Sequence, residues 1–169
     1  MKRKPLRLLA IDLTAKGFGF VLLDAKLGLL DWGFCLILAT DDQAFLDRVS
    51  RRIERGRPTA LVLENFASTK DRETVTRRCG LAIKLAAERQ IGLCQISQKV
   101  VQRILGPTTK AEMAATLAKR YPELTRSIPP ERSRWASEDE RMHIFDALAL
   151  AFSLLGPVKT TVIEPSEEG

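Results

Sequence analysis

Two carboxylates stand at the ends of apolar stretches that predict buried strands. Asp12 follows the run from Leu6 to Ile11, and Glu64 closes the run from Thr59 to Leu63. An isolated buried charge is too costly to keep, so each acid must find a partner or hold a cation. If the two strands are parallel neighbours buried on both faces, both acids lie at the same edge of the sheet. The pattern therefore predicts a metal site at this edge.

A second group of polar side chains falls in the last predicted helix, from about Ser137 to Leu155. Asp139, His143 and Asp146 stand at positions i, i+4 and i+7, and so share one helix face. The stretch from Ala147 to Phe152 that follows is typical of a helix packed against a sheet. Together with the strand acids, this face offers hard oxygen donors and one imidazole, a set that suits a divalent metal ion.

Each of these residues also has an ordinary structural explanation. His143 is the single histidine of the chain, and a lone histidine is often a surface residue or a hydrogen-bonded core residue. Asp12 and Glu64, taken singly, also fit strand-end acids that face solvent. All of them together favour a site for two ions, Mg²⁺ or Mn²⁺, that activate a water and stabilise the leaving 3′ oxygen of a phosphodiester.

The strands that must position these residues follow from apolar runs and turn residues. We predict three consecutive antiparallel strands and two parallel ones, over Leu6 to Asp12, Gly17 to Leu23, Leu29 to Leu38, Thr59 to Glu64 and Gly92 to Ile96. The glycines of the second strand, Gly17 and Gly19, are expected to allow close backbone approach near the site.

Helices are predicted between and after these strands, with the last one already described. Their ranges are Asp41 to Arg55, Lys70 to Arg89, Ser97 to Leu105, and Thr109 to Tyr121 with Thr108 as its cap. The fold class is therefore α/β, a five-stranded mixed sheet flanked by helices. We expect a single domain over residues 1–156 and a flexible acidic tail over 157–169.

Composition narrows the class of protein. The chain has 169 residues, of which 45% are hydrophobic and 28% charged, as in globular proteins. No apolar stretch is long enough to span a bilayer, and the N-terminus does not resemble a secretory signal. The three cysteines lie far apart and match no metal-ligand spacing. We therefore expect a cytoplasmic protein without a membrane partner. The net charge of +6 favours an anionic partner such as nucleic acid, although many basic proteins bind none.

The order of these elements and motifs resembles the RNase H-like superfamily, and within it the RuvC family of Holliday junction resolvases. The resemblance covers roughly Leu6 to Leu155 and rests on Asp12, on Glu64, on the segment His143 to Ala149, and on Arg78 to Ile83, which is similar to a turn of the family's central helix. It implies a metal-dependent, structure-specific endonuclease that resolves four-way DNA junctions by paired symmetric nicks.

The resemblance also implies roles for individual residues of this chain. Asp12, Glu64, His143 and Asp146 would be the four catalytic metal-binding positions, with His143 as a ligand or as a group that helps to deprotonate the water. Asp139 would only orient His143. A homodimer with one metal site per subunit is implied as well, and its expected interface is the long helix from 70 to 89.

A basic segment after the fifth strand resembles the helix pair that the family places near the scissile phosphate. Within it Lys110 matches best, and Lys99 or Arg103 could supply a second cation. Arg77, in the basic first part of the long helix, is a further candidate for DNA contact. The alternative for all four residues is that they lie on a solvent-exposed helix face and do not contact DNA. A phosphate contact needs only a suitably placed positive charge, so a lysine or arginine is not a specific signal of DNA binding.

Two other functions remain open for this fold. One is an RNA-directed nuclease related to the superfamily members that process ribosomal RNA, since the 2′-hydroxyl contacts that would decide this are not visible in a sequence. The other is a catalytically inactive nucleic-acid-binding protein, against which the four intact ligand types argue.

Overall fold

The computed structural model describes residues 3–65, 72–106, 108–131 and 138–160, with the backbone alone for 156–160. Its strands are β1 (Arg7–Thr14), β2 (Gly17–Asp24), β3 (Leu29–Leu36), β4 (Ala60–Glu64) and β5 (Gly92–Ile96). Its helices are α1 (Asp42–Gly56), α2 (Glu73–Glu88), α3 (Gln98–Leu105), α4 (Lys110–Arg120) and α5 (Met142–Thr160), with a 3₁₀ helix over Pro122–Ser127.

The strands form one mixed sheet in the order β3-β2-β1-β4-β5. β2 pairs antiparallel with both β1 and β3, whereas β4 lies parallel to both β1 and β5. This confirms the predicted fold class. β1 and β4 are apolar on both faces because they lie in the middle of the sheet and helices cover them on either side.

Alternate residues of the central strands enter two separate hydrophobic clusters. Leu8 and Ala10 of β1 point to the face covered by α3, α4 and α5, where Phe145 and Leu148 are fully buried. Leu9 and Ile11 point to the opposite face, which α1 and α2 cover. The sheet is therefore the middle of three layers. Successive side chains of a strand point alternately to the two outer layers.

Several boundaries differ from the predicted ones. β1 continues past Asp12, because Leu13 and Thr14 still pair with β2. β3 ends at Leu36 rather than Leu38, because Leu36 already pairs with Gly17, the first residue of β2. The cap of α4 is Thr109, not Thr108.

The cap of α4 has a clear physical reason. The hydroxyl of Thr109 accepts the backbone N–H of Glu112 at 3.2 Å, and the Glu112 carboxylate accepts the Thr109 N–H at 2.9 Å. This reciprocal capping box satisfies two backbone donors that the helix itself leaves open, and Thr108 has no equivalent partner three residues on.

The last helix begins at Met142 and not near Ser137, which corrects the predicted range. The Asp139 carboxylate accepts the backbone N–H of Arg141 at 2.9 Å and the Arg141 guanidinium at 2.8 Å. Such a local side-chain bond favours a turn over a helix. Asp139 therefore precedes α5, and the predicted helix face shared with His143 was wrong for this residue.

At its other end α5 continues to Thr160, beyond the predicted end at Leu155. The helix includes Pro157, although proline has no backbone N–H to donate to the preceding turn. The rest of the predicted acidic tail, 161–169, and the predicted first turn of the long helix at 70–71 lie outside the described residues. Across the described ranges, none of the helices combines the length and apolar character needed to cross a membrane.

Candidate active site

Asp12 and Glu64 occupy neighbouring positions on two parallel strands. Ile11 of β1 pairs with Leu63 of β4, so Asp12 and Glu64 are the next residue of each strand. Their side chains are on the same side of the sheet as that of Val62, which points towards α5. The sequence prediction that the two acids meet at one edge of the sheet is confirmed at the level of strand register.

The last helix approaches the sheet closely at this point. Gly19 of β2 pairs with Asp12, and a Cβ atom at Gly19 would collide with the backbone carbonyl group of His143. The predicted close backbone approach is therefore present at Gly19. It brings the imidazole of His143 directly over the acid of β1.

His143 is the centre of the polar contacts. Its Nδ1 nitrogen lies 2.7 Å from Oδ2 of Asp12 and 3.6 Å from Oδ2 of Asp146, one helical turn further along α5. The ring of Phe34 lies beside the imidazole, with 5.7 Å between ring centroids. Within the part of the chain that the structure describes, Asp12, His143 and Asp146 offer one ligand atom each, all within 4.8 Å of one another.

Glu64 lies outside this group of three but lines the same cavity. Burial raises the pKa of its carboxyl group to about 7, and the nearby charges of Asp12 and Asp146 add to the rise. The positive charges of Arg72 and Lys110 oppose this rise without cancelling it. A metal cation bound beside this carboxyl group would favour its charged form. The chemistry of the donor set therefore fits a divalent cation between these acids.

The same logic explains the other titrating groups. Burial raises the pKa of Asp12, while its hydrogen bond to His143 opposes the rise. Burial disfavours the charged form of His143, but its hydrogen bonds to Asp12 and Asp146 outweigh this effect and raise its pKa to about 9. In the metal-free protein at neutral pH, the imidazole is therefore cationic and neutralises part of the acidic cluster.

Lys110, at the start of α4, supplies a second cation. Its ammonium group donates to Oε1 of Glu138 at 2.6 Å and to Oδ2 of Asp146 at 3.2 Å. Burial lowers its pKa, but the carboxylates of Asp146 and Glu138 outweigh this and raise it. Lys110 is therefore charged and lies at the edge of the acidic cluster.

These groups line one open cavity of about 840 Å³ at the carboxyl ends of β1 and β4. Sequence reasoning missed several of its polar lining residues. Gln98 and Gln102 both line the cavity and lie one turn apart on α3. Their i, i+4 spacing in the sequence already indicates that they share one face of that helix. Glu138 and Arg72 carried no sequence signal, because only the tertiary fold brings them to the cavity.

The remaining candidates lie elsewhere. Lys99 and Arg103 are exposed on a side of α3 that does not line the cavity. Arg77 pairs with Asp42 of α1 at 2.6 Å and donates to the backbone of the β3–α1 loop, away from the site. Asp139 contacts Arg141 and does not orient His143, so that implied role was wrong.

Comparison with known proteins gives matches at the level of structure. No protein-family model matches the sequence, and neither does any curated protein. RuvC of Thermus thermophilus in complex with a Holliday junction substrate is 17% identical with a TM-score of 0.66, and the match covers 92% of this chain and 96% of that one. A second Thermus thermophilus RuvC structure is 19% identical with a TM-score of 0.63, over 92% and 98% of the two chains.

A third match comes from a eukaryotic source. The yeast mitochondrial Holliday junction resolvase is 13% identical with a TM-score of 0.62, and 92% of this chain aligns with 81% of that chain. Identities this low establish the architecture and not the activity. The chain therefore has the RNase H-like fold of the RuvC and mitochondrial Holliday junction resolvases.

Proposed function

We propose that this protein is a metal-dependent endonuclease that resolves four-way DNA junctions. The observation that supports this most strongly is the convergence of Asp12, His143 and Asp146 within 4.8 Å, beside Glu64 and the cation of Lys110, in one open cavity. Carboxylates at the carboxyl ends of adjacent parallel strands, with a lysine at their edge, suit phosphodiester chemistry. One of the proteins with this fold was solved with a Holliday junction substrate bound.

Asp12, His143 and Asp146 would hold a divalent metal ion, and Glu64 would complete the donor set for a second ion. Mg²⁺ and Mn²⁺ both accept such ligands. When bound, the ions would supply a water nucleophile at neutral pH and stabilise the charge on the phosphate and the leaving 3′ oxygen. The identity and the number of ions are part of the proposal.

The protein's own groups have separate tasks in this scheme. Before metal binds, the cationic His143 holds Asp12 and Asp146 together and limits their repulsion. A metal ion binds only the neutral imidazole, so His143 would have to release its proton to serve as a ligand. Lys110 keeps a positive charge at the cavity and would contact the phosphate of the strand to be cut.

Paired symmetric nicks need two sites that face related strands, so the proposal includes a homodimer with one site per subunit. We place its interface on α2, as the sequence resemblance implies. This helix packs on the cluster that contains Leu9 and Ile11, and its first turn, Glu73 to Val75, lines the cavity. Lys99 and Arg103, exposed on α3, are available for contacts to phosphates outside the cavity.

A substrate panel tests the proposed function. The protein is incubated with a synthetic four-way junction, a linear duplex, a single strand, a flap and an RNA–DNA hybrid, each with Mg²⁺ and with EDTA. We expect metal-dependent cutting of the junction in preference to the others. Cutting of the hybrid or of RNA would make the protein an RNA-directed nuclease, and junction binding without cutting by any metal would make it an inactive binding protein.

A further inference from the structure

Helix α1 has two exposed flanks of opposite character. Its buried face consists of Phe45, Val49 and Ile53. On one flank Glu54 pairs with Arg89 at the end of α2, at 3.2 Å. On the other flank Arg52 pairs with Asp31 of β3, at 3.2 Å. The acidic flank therefore faces α2, and the basic flank faces the outer edge of the sheet.

Three further arginines continue the basic flank, and we call Arg48, Arg51 and Arg55 the arginine stripe. They stand at positions i, i+3 and i+7, so they share one side of the helix with Arg52. All three are exposed. Across the described residues, the side-chain ion pairs and hydrogen bonds of α1 are made by Asp42, Gln43, Asp47, Arg52 and Glu54, and none of them involves the stripe.

The chemistry of the stripe fits a phosphate backbone. A guanidinium group presents a planar fork of donors that matches phosphate oxygens, and it is less strongly hydrated than an ammonium group. The stripe extends about 10 Å along the helix. A DNA duplex carries one negative charge per about 1.7 Å of its axis, so a duplex lying along α1 presents several phosphates to these three residues.

The stripe and the cavity lie at opposite ends of β1. The carbonyl of Gly56, at the end of α1, accepts a hydrogen bond from the guanidinium of Arg7 at the start of β1, whereas the cavity lies at the carboxyl end of this strand. A single short stretch of duplex at the cavity therefore does not also lie along the stripe. A branched substrate has several arms, which can occupy separate surfaces of one protein.

We infer that the arginine stripe binds the phosphate backbone of a second duplex arm of the branched nucleic acid whose scissile strand enters the cavity. This inference rests on the proposed function, and it adds a second nucleic-acid surface to it. The stripe acts through affinity and orientation of the substrate and takes no part in the cleavage step.

Salt-dependent binding to a four-way junction in EDTA tests the stripe. The triple variant Arg48→Gln, Arg51→Gln and Arg55→Gln is compared with the unaltered protein and with a control triple variant. The control, Lys26→Gln, Lys119→Gln and Arg126→Gln, removes the same charge from exposed residues elsewhere. We expect the stripe variant to lower the slope of log K against log salt by about 2 to 3, because each phosphate contact contributes about 0.9. We expect the control to change it by less than about 1.

The cleavage rate at saturating protein, with Mg²⁺, separates binding from chemistry. The stripe variant should cut bound junction at the rate of the unaltered protein. An unchanged salt slope, an equal loss in the control variant, or a lost saturated rate would each overturn the inference while leaving the proposed function intact. Failure of the unaltered protein to bind or cut the junction would instead overturn the proposed function, and the inference with it.

Discussion

The Nδ1 atom of His143 lies 2.7 Å from Oδ2 of Asp12, which joins the last helix to the first strand across 131 positions of sequence. The imidazole reaches the acid because Gly19 of the neighbouring strand has no side chain to hold the helix away. The candidate metal centre therefore depends on the packing of α5 against the sheet. Stability and activity should respond together when this packing is disturbed.

Substitution of Gly19 should disturb that packing directly. Gly19→Ala places a methyl group against the backbone of His143, so α5 must shift away from β1. We expect a loss of about 1 to 3 kcal/mol in the free energy of unfolding, as for overpacked cores, and loss of junction cleavage. Chemical denaturation and the cleavage assay measure the two effects.

Gly80→Ala is the matched control. Gly80 lies exposed in α2, and nothing surrounds the position of an added Cβ. The exchange should stabilise the helix by up to about 1 kcal/mol, an effect on the free energy of unfolding opposite in sign to that of Gly19→Ala. Equal behaviour of the two variants would contradict the role assigned to Gly19.

Asp146→Asn should separate binding from catalysis. Asparagine keeps the shape of the side chain but removes the charge that a divalent metal needs. We expect cleavage to fall by more than about 100-fold, because the ions are expected to supply several kcal/mol of transition-state stabilisation. Folding and junction binding in EDTA should stay close to those of the unaltered protein.

The matched control for this change is Asp139→Asn. Asp139 contacts Arg141 and lies outside the cavity, so its neutralisation should leave the cleavage rate within about 3-fold. A large loss of cleavage in Asp139→Asn would restore the orienting role that the sequence resemblance implied. Full activity of Asp146→Asn would remove this residue from the site.

The stability of the metal-free protein should fall as the pH rises from about 4.5 to about 9. A group that binds its proton more tightly when folded contributes stability that is complete below its unfolded pKa and lost as the pH passes its folded pKa. The pKa of Glu64 rises from 4.5 to about 7, and that of His143 rises from 6.5 to about 9. Thermal unfolding in EDTA across this range measures the effect.

His143→Gln is the comparison that assigns the upper part of the profile. It should remove the contribution of the imidazole, which is lost between about pH 6.5 and 9, while the contribution of Glu64 between about pH 4.5 and 7 remains. Saturating Mg²⁺ should raise the unfolding temperature most at high pH, since the ion competes with protons for the same ligands. A metal effect that grows as the pH falls would argue against ligation by these residues.

Lys110→Met tests the cation at the edge of the cavity. The change keeps a long side chain and removes the charge that contacts Asp146 and Glu138. We expect the cleavage rate of bound junction to fall by about 10- to 100-fold, as for loss of one positioned electrostatic contact to the reacting phosphate. Lys119→Met, on the exposed last turn of α4, should cut at the normal rate, and a similar loss in both variants would refute the assignment.

The sheet and its acids were predictable because local pattern and global fold agree there. Continuous apolar runs identified the central strands, and Asp12 and Glu64 were placed together because residues of equal position on parallel neighbours share an edge. The helix spacing of His143 and Asp146 was readable for the same reason. These features depend on the geometry of single elements and one pairing.

Contacts made by turns and by tertiary packing were not predictable. Helical spacing extended the last helix back to Asp139, but the bonds of its carboxylate to Arg141 favour a turn. The pairing of Lys110 with Glu138 joins two elements whose approach no sequence pattern describes. The position of Arg77, held by Asp42, likewise depends on the packing of α2 against α1.

The central claim is metal-dependent resolution of a four-way junction, and mapping of the cut positions tests it most directly. A junction labelled in turn on each of its four strands is incubated with the protein in Mg²⁺ and in EDTA, and the products are sized on a sequencing gel. We predict nicks at symmetric positions in two opposing strands with Mg²⁺ and none with EDTA. Cuts that persist in EDTA, or that fall without symmetry on all four strands and on linear duplex alike, would contradict the claim.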